Sequence, residues 1–488
     1  MNSSFALVLP RTCGRLGLAV LLNTVLAGTV AVSQTNPEPA DYQHYGKPVA
    51  VAPADPAIAA ALAEVSEARL RKTVETLVSF GTRNSLSSME TDLPKGQGIT
   101  AAADWIAGEF EAVSKECGGC LEVKRDTFVA DPAAGGKQWG NRIPKPTQMT
   151  NVYAILRGSD PAEAKRMYLV TGHYDTRRSN VLDDHGAAPG ANDDATGVAV
   201  SLECARVLSK LKLPASLVFV AVAGEEQGLV GSAHLAHLAK EQGWQLEGVL
   251  NNDIVGGNTT PGDTMQRKDV IRVFSEGVPL PATLEQDQKS RALGTMEDSA
   301  SRELARSMAD VSRSYQDSLA RFAPFLVARP DRYLRGGDHT SFNREGFTAV
   351  RLTEWREDYN HQHQDIRMEG GVQFGDLIQY VDFGYVAHVA RLNAATLATL
   401  AASPGIPVTV ALETEKLENS TTVSWKAPEG APASAYYELL WRETTDSDWR
   451  YALRVDGTSV SVPISKDNVI FGVRAVDAGG HRGLVVVP

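Results

Sequence analysis

Between residues 166 and 251 the chain alternates short, wholly apolar runs with stretches of helical periodicity. Arg166–Thr171 (RMYLVT), Ser216–Ala223 (SLVFVAVA) and Leu246–Asn251 (LEGVLN) carry almost no polar interruption. Ala195–Lys210 and Leu229–Gln242, between them, space their apolar residues as helices do. A strand that reads as an unbroken apolar run is buried on both faces, and parallel strands need a long crossover, most often a helix. The pattern therefore predicts an α/β fold: a mostly parallel central sheet with helices on both faces. The same reading places helices over 56–80 and 98–114 and strands over 121–128 and 151–157. It adds a strand near 269–274, a polar helical stretch over 283–319, a last strand at 348–352 and a long helix over 376–400. One domain spanning 56–402 holds all of these elements.

A chain of 488 residues exceeds what one hydrophobic core serves, so a second domain is expected. Residues 403–407 (SPGIP) read as a linker. Beyond it, six short strands recur at regular spacing, over 408–413, 420–425, 436–442, 450–455, 459–464 and 469–477. That rhythm predicts a small β-sandwich over 408–488.

At the other end, Arg11 and Arg15 precede the apolar run Leu16–Val30 and the small residues Ala31-Val32-Ser33. This is the order of a secretory signal, with cleavage expected near Ser33–Gln34. The run is short for a membrane span, which needs about 20 apolar residues. The expectation is an exported protein, periplasmic or extracellular, with no stable membrane span after cleavage and a Pro-rich lead-in over 34–55. In an oxidising compartment Cys117 and Cys120 read as a small-loop disulfide, and Cys204 as a buried free thiol. The net charge of −11 argues against a nucleic-acid partner, because phosphate binding needs a basic face.

Chemistry gathers where predicted strands end, the edge at which open α/β sheets bind ligands. His173 follows RMYLVT, with Asp175 two residues on. Asp193 sits in the Gly-rich loop PGANDDATG that runs into a helix. Glu225 and Glu226 follow SLVFVAVA, and Asp253 ends the strand of LEGVLN. Downstream, Asn360-His361-Gln362-His363-Gln364-Asp365 offers two imidazoles in a loop. Adjacent carboxylates at a buried strand end are costly unless cations offset them. One of the pair can hold a metal while its neighbour acts as general base. Oxygen and nitrogen ligands without thiolate suit zinc, and so many ligands suit a pair of ions rather than one.

The motifs GHYDT, PGANDDATG, GEEQGLVGS, NNDIVGG and NHQHQD, in this order, resemble the two-zinc aminopeptidase family. That family includes secreted bacterial leucine aminopeptidases, aminopeptidase Y, glutamate carboxypeptidase II and, as a divergent branch, glutaminyl cyclase. The resemblance covers residues 60–400 and implies two Zn²⁺ per chain. It implies His173 and Asp253 on one zinc, Asp193 bridging, Glu226 and His361 on the other, Glu225 as general base and Asp175 orienting His173. The family's pattern sets the last histidine four residues before an Asp, and counting back from Asp365 selects His361 over His363. Gly337–Phe342 resembles a pocket-lining segment, which makes His339 a substrate-side residue. His234 and His237 read as helix-surface or packing residues.

The implied activity is removal of N-terminal residues from peptides with a free N-terminus. A carboxypeptidase or a glutaminyl cyclase on the same fold, or an inactive metal- or peptide-binding protein, are the competing expectations. Arg332, Arg335 and Arg351 are the candidates for a carboxylate clamp. The C-terminal sandwich resembles a fibronectin type III domain through Trp425 and the segment FGVRAVDAGG, with Phe471 where that family usually has Tyr. Its expected role is a non-catalytic module for adhesion, spacing or stability.

Overall fold

Eight strands form the central sheet of the computed structural model, which describes residues 42–132 and 141–488. The signal segment and most of the lead-in lie outside the described residues. At the centre, Ser216–Val222, Arg166–His173, Gln245–Asn252 and Ala349–Thr353 lie side by side and all run parallel. Outside Ser216–Val222, Thr147–Leu156 and then Leu121–Ala130 add antiparallel. On the other side Val270–Ser275 is antiparallel to Ala349–Thr353 and carries Ala323–Val327 parallel at the edge. The sheet is thus mixed, with its parallel part where the apolar runs are.

Both faces of that centre are covered. Along one strand Leu217, Phe219 and Ala221 enter the larger core, and Val218, Val220 and Val222 enter the smaller one. Period-two alternation explains why the run has no polar position: each face meets helices. The larger core is built with the helices Glu67–Ser79, Gly98–Glu116, Ala195–Leu208, Ala300–Ser314 and Phe383–Ala402. The smaller one uses Val230–Glu241 and the short helix His339–Arg344. The polar stretch over 283–319 divides at Gly294 into Leu284–Leu293 and Ala300–Ser314. Gly294 caps the first helix with a φ of 70°, a left-handed turn that glycine adopts without a Cβ clash.

All six C-terminal strands form. They make two antiparallel sheets, Val408–Leu412/Thr421–Lys426/Ser459–Val462 and Tyr451–Val455/Tyr436–Glu443/Val469–Val476. Trp425, Tyr437, Leu439, Trp441, Phe471 and Val473 fill the space between them. The second sheet gains an edge strand, Lys47–Pro48, from the far end of the chain. Residues 41–488 form one compact unit, so 403–407 does not separate two bodies. The reason lies in buried polar bonds to the α/β layers. Arg442 and Arg306 share Asp298, and Trp449 Nε1 donates to Glu303 at 2.9 Å. Arg166 also donates to the carbonyl of Ser403, at 2.6 Å, inside the linker itself. Cys117 and Cys120 are joined by a disulfide, and Cys204 is a buried free thiol.

Candidate dinuclear metal centre

Three neighbouring parallel strands deliver their C-terminal ends to one place. His173 ends the middle strand, Glu225 and Glu226 follow Ser216–Val222 on one side, and Asp253 follows Gln245–Asn252 on the other. Asp193 enters from the loop before the helix Ala195–Leu208. Local hydrogen bonds hold these turns in place. Asp175 accepts the backbone N–H groups of Glu225 at 3.2 Å and Glu226 at 3.1 Å, tying the His173 strand to the glutamate turn. Asp194 caps the helix by accepting from Gly197 N–H at 3.0 Å and also accepts from His173 N–H at 3.0 Å. A Cβ on Gly197 would lie 2.3 Å from the carbonyl oxygen of Asn252, so only glycine lets the helix approach the strand end this closely.

The side chains assemble as two overlapping triads. Asp193 Oδ1 lies 3.0 Å from His173 Nε2, which lies 3.9 Å from Asp253 Oδ1. Asp193 Oδ2 lies 3.0 Å from His363 Nε2, which lies 2.9 Å from Glu226 Oε1. Each triad offers three ligand atoms within 4.8 Å of one another, and the two share Asp193, one carboxylate oxygen facing each. Glu226 Oε1 is buried without a hydrogen-bond donor, the condition of an atom that needs a cation. Two imidazoles and three carboxylates without thiolate are a donor set for zinc, and the shared carboxylate suits two ions side by side. The residues present fit that metal.

One ligand in the sequence reading is corrected. His361 does not reach the centre; His363 does. The His361 ring stacks on Tyr380 at 3.5 Å between centroids, with Nδ1 3.2 Å from Thr260 Oγ1. The count from Asp365 fails because that carboxylate orients no histidine. It accepts from Arg178 Nε at 2.7 Å, across 187 residues of sequence. His339 is also corrected. It is wholly buried, absent from the pocket wall, and its Nε2 donates to the carbonyl of Pro330 at 2.7 Å. It opens the helix His339–Arg344, which turns its side chain inward. Asp175 lies beside His173 as expected, 3.4 Å from Nδ1, although the closer acceptor is the Asp175 carbonyl at 3.1 Å. His234 stacks on Phe128, a packing residue.

The electrostatics show what the centre lacks. Burial works against charge on His363, but Glu226 and Asp193 outweigh it and push the imidazole up to about 10. Burial likewise opposes the Asp193 carboxylate, yet His173 and His363 hold it well below the usual range. Glu225 goes the other way: burial raises it well above an ordinary carboxylate, and Glu226, Asp253 and Asp338 add to that. Within the chain the cationic partners of these carboxylates are His173, His363 and Arg351, the last at 2.9 Å from Asp253 Oδ1.

Residues outside the sequence motifs complete the site. Asp376 accepts the N–H groups of Asn192 at 2.8 Å and Asp193 at 2.7 Å, fixing the bridging loop from 183 residues away. Gln362 donates to Asp193 Oδ2 at 3.1 Å. A pocket of about 180 Å³ opens over the triads, lined by Glu225, Glu226, Asp193, Asp253 and His363. Its other walls carry Arg142, Arg177, Arg332 and Arg335. Arg142 reaches the pocket from a loop far from the ligand motifs, whereas Arg177 directly follows GHYDT and no sequence pattern marks it as pocket-lining.

Residues 151–370, which contain all five triad residues, match peptidase family M28. Over 433 residues the chain is 41% identical to a probable zinc metalloprotease of Leptosphaeria maculans, covering 88% of this chain and 96% of that one. A probable zinc metalloprotease of Pyricularia oryzae is 43% identical over 442 residues, 89% of this chain and 84% of its own. Among solved structures, the LapA aminopeptidase of Legionella pneumophila is similar at a TM-score of 0.47 and 20% identity, over 71% of this chain and 74% of that one.

Proposed function

Because the chain belongs to peptidase family M28 and is related to zinc metalloproteases, we propose that it is an exopeptidase with two zinc ions, removing residues from the free N-terminus of peptides. The observation that carries this reading is the pair of triads sharing Asp193 under a pocket that Glu225 also lines. The pocket, about 180 Å³, is smaller than the roughly 300 Å³ at which drug-sized ligand sites begin. That size supports a site for one terminal residue over a groove for an extended chain.

His173 and Asp253 would hold one ion, Glu226 and His363 the other, with Asp193 between them. When bound, zinc supplies Lewis-acid polarisation of the scissile carbonyl and makes the attacking water more acidic. Glu225 takes the proton from that water at its carboxylate and passes it to the leaving amine. Burial raises the Glu225 carboxylate above the ordinary range, which makes it a stronger base toward that water. Asp175 keeps the glutamate turn and His173 in register, so the base and the ligands move as one unit.

The test is hydrolysis of aminoacyl chromogenic substrates beside their N-acylated counterparts. The free-amine substrates should be cleaved, the capped ones spared, and chelation should abolish turnover until zinc is restored. Cleavage of capped substrates at comparable rates would overturn the aminopeptidase assignment.

We further propose export, with the mature chain beginning near Gln34. Among the described residues no helix is long and apolar enough to cross a membrane. Terminal sequencing of protein from the medium or periplasm tests it; an intact Met1 end there would contradict it. The C-terminal sheets are proposed as a non-catalytic module for stability and spacing, as their buried bonds to the helix Ala300–Ser314 support.

A further inference from the structure

The pocket over the triads is two-toned. Its acidic groups lie at the floor: Asp193, Glu226 and Asp253 are 6%, 2% and 2% exposed. Its guanidinium groups stand on the walls. On one wall Glu357 is shared by three of them, with Arg332 at 2.7 Å, Arg272 at 3.0 Å and Arg335 at 3.3 Å. Arg332 is further bound to Asp331 and is nearly enclosed, so it shapes the wall. Arg335 has only its weak share of Glu357, and its side chain is 33% exposed toward solvent. Arg177, also on the pocket lining, donates to the carbonyls of Arg178 at 3.0 Å and Ser179 at 2.9 Å. Among the described residues it meets no carboxylate. A carbonyl orients a guanidinium without cancelling its charge.

Resting on the exopeptidase reading, we propose that Arg335 and Arg177, which line one pocket, select substrates with a carboxylate next to the scissile bond. Guanidinium and carboxylate pair through charge-assisted, often bidentate bonds, which give geometric selectivity as well as affinity. The carboxylate has three sources: an acidic N-terminal side chain, an acidic side chain on the leaving residue, or the α-carboxylate of a dipeptide.

Three matched pairs separate them: glutamyl- against glutaminyl-p-nitroanilide, Ala-Glu-amide against Ala-Gln-amide, and Ala-Ala against Ala-Ala-amide. The zinc-loaded protein should favour the anionic member of at least one pair by about tenfold in kcat/KM. That ratio should fall by about tenfold in Arg335→Gln or Arg177→Gln, and Arg335→Lys should keep part of it. Ratios near one in every pair, or a preference that survives both glutamine substitutions, would overturn the proposal while leaving the exopeptidase reading intact. Failure to cleave any of the six would instead sink that reading. Calorimetric binding of the same pairs to Glu225→Gln then decides the selectivity without turnover, and equal affinities within every pair would overturn it.

Discussion

Two regions of this molecule bury charge, and they do so in opposite ways. Where the C-terminal sheets meet the helix Ala300–Ser314, each buried acid faces a guanidinium: Asp298 takes Arg306 and Arg442, and Glu303 takes Arg306 and the Trp449 N–H. At the strand ends, Asp193 meets His173, His363 and Gln362, Glu226 meets His363, and Asp253 meets His173 and Arg351, so the carboxylates converge on one another. The first arrangement sets acids against guanidinium groups from both sides of the interface and serves stability. The second gathers Asp193, Glu225, Glu226 and Asp253 around one pocket, which is what a site that takes up cations requires. Burial of an unpaired carboxylate is costly, so the fold keeps this one cluster at the expense of stability for the sake of chemistry.

Substitution should separate the two regions. Glu225→Gln removes the base while keeping the shape of the pocket; turnover should drop about a thousandfold with zinc content unchanged. Turnover within tenfold of the parent chain would remove Glu225 from the mechanism. Arg442→Ala acts at the other region. It removes one of the two guanidinium groups on the buried Asp298 carboxylate, leaving Arg306, and should cost about 2 kcal/mol in chemical denaturation. An effect below about 0.5 kcal/mol would show that the interface does not bind the sheets to the α/β layers.

A smaller effect comes from His481, which lies 2.7 Å from Asp477 and 3.1 Å from Asp55 and so ties the lead-in to the last strands. The Asp477 hydrogen bond holds this imidazole above its usual 6.5, against the effect of burial. A raised folded-state value means that its contribution is complete below about pH 6.5 and is lost as pH rises through the folded value. The difference in melting temperature between the parent chain and His481→Gln should therefore be largest at pH 5.5–6 and shrink above neutrality. A difference that grows with pH would reverse the assignment.

Much of this was legible in the sequence for a physical reason. Strands buried on both faces must be apolar throughout, so RMYLVT, SLVFVAVA and LEGVLN announced the parallel centre, and the acids just past them announced the site. What was hidden depended on distant partners. His361 and His363 share one loop, and the choice between them turns on Asp365 being held by Arg178. Asp376 and Arg142 reach the site from loops with no motif of their own. The edge strand Ala323–Val327 (APFLV) is short and half exposed, and Pro324 within it argues against a strand. The fusion of the C-terminal sheets with the α/β layers has no local signature, because Asp298 and Arg442 meet across 144 residues of sequence.

The central claim is that the Asp193 carboxylate bridges two cations, with His363 and not His361 completing the second triad. Anomalous diffraction at the zinc edge from crystals of the zinc-loaded protein tests it directly. Two peaks about 3.5–4 Å apart, one on each side of Asp193, with the second beside His363 Nε2, are the predicted result. A single peak, or a second peak beside His361, would contradict it.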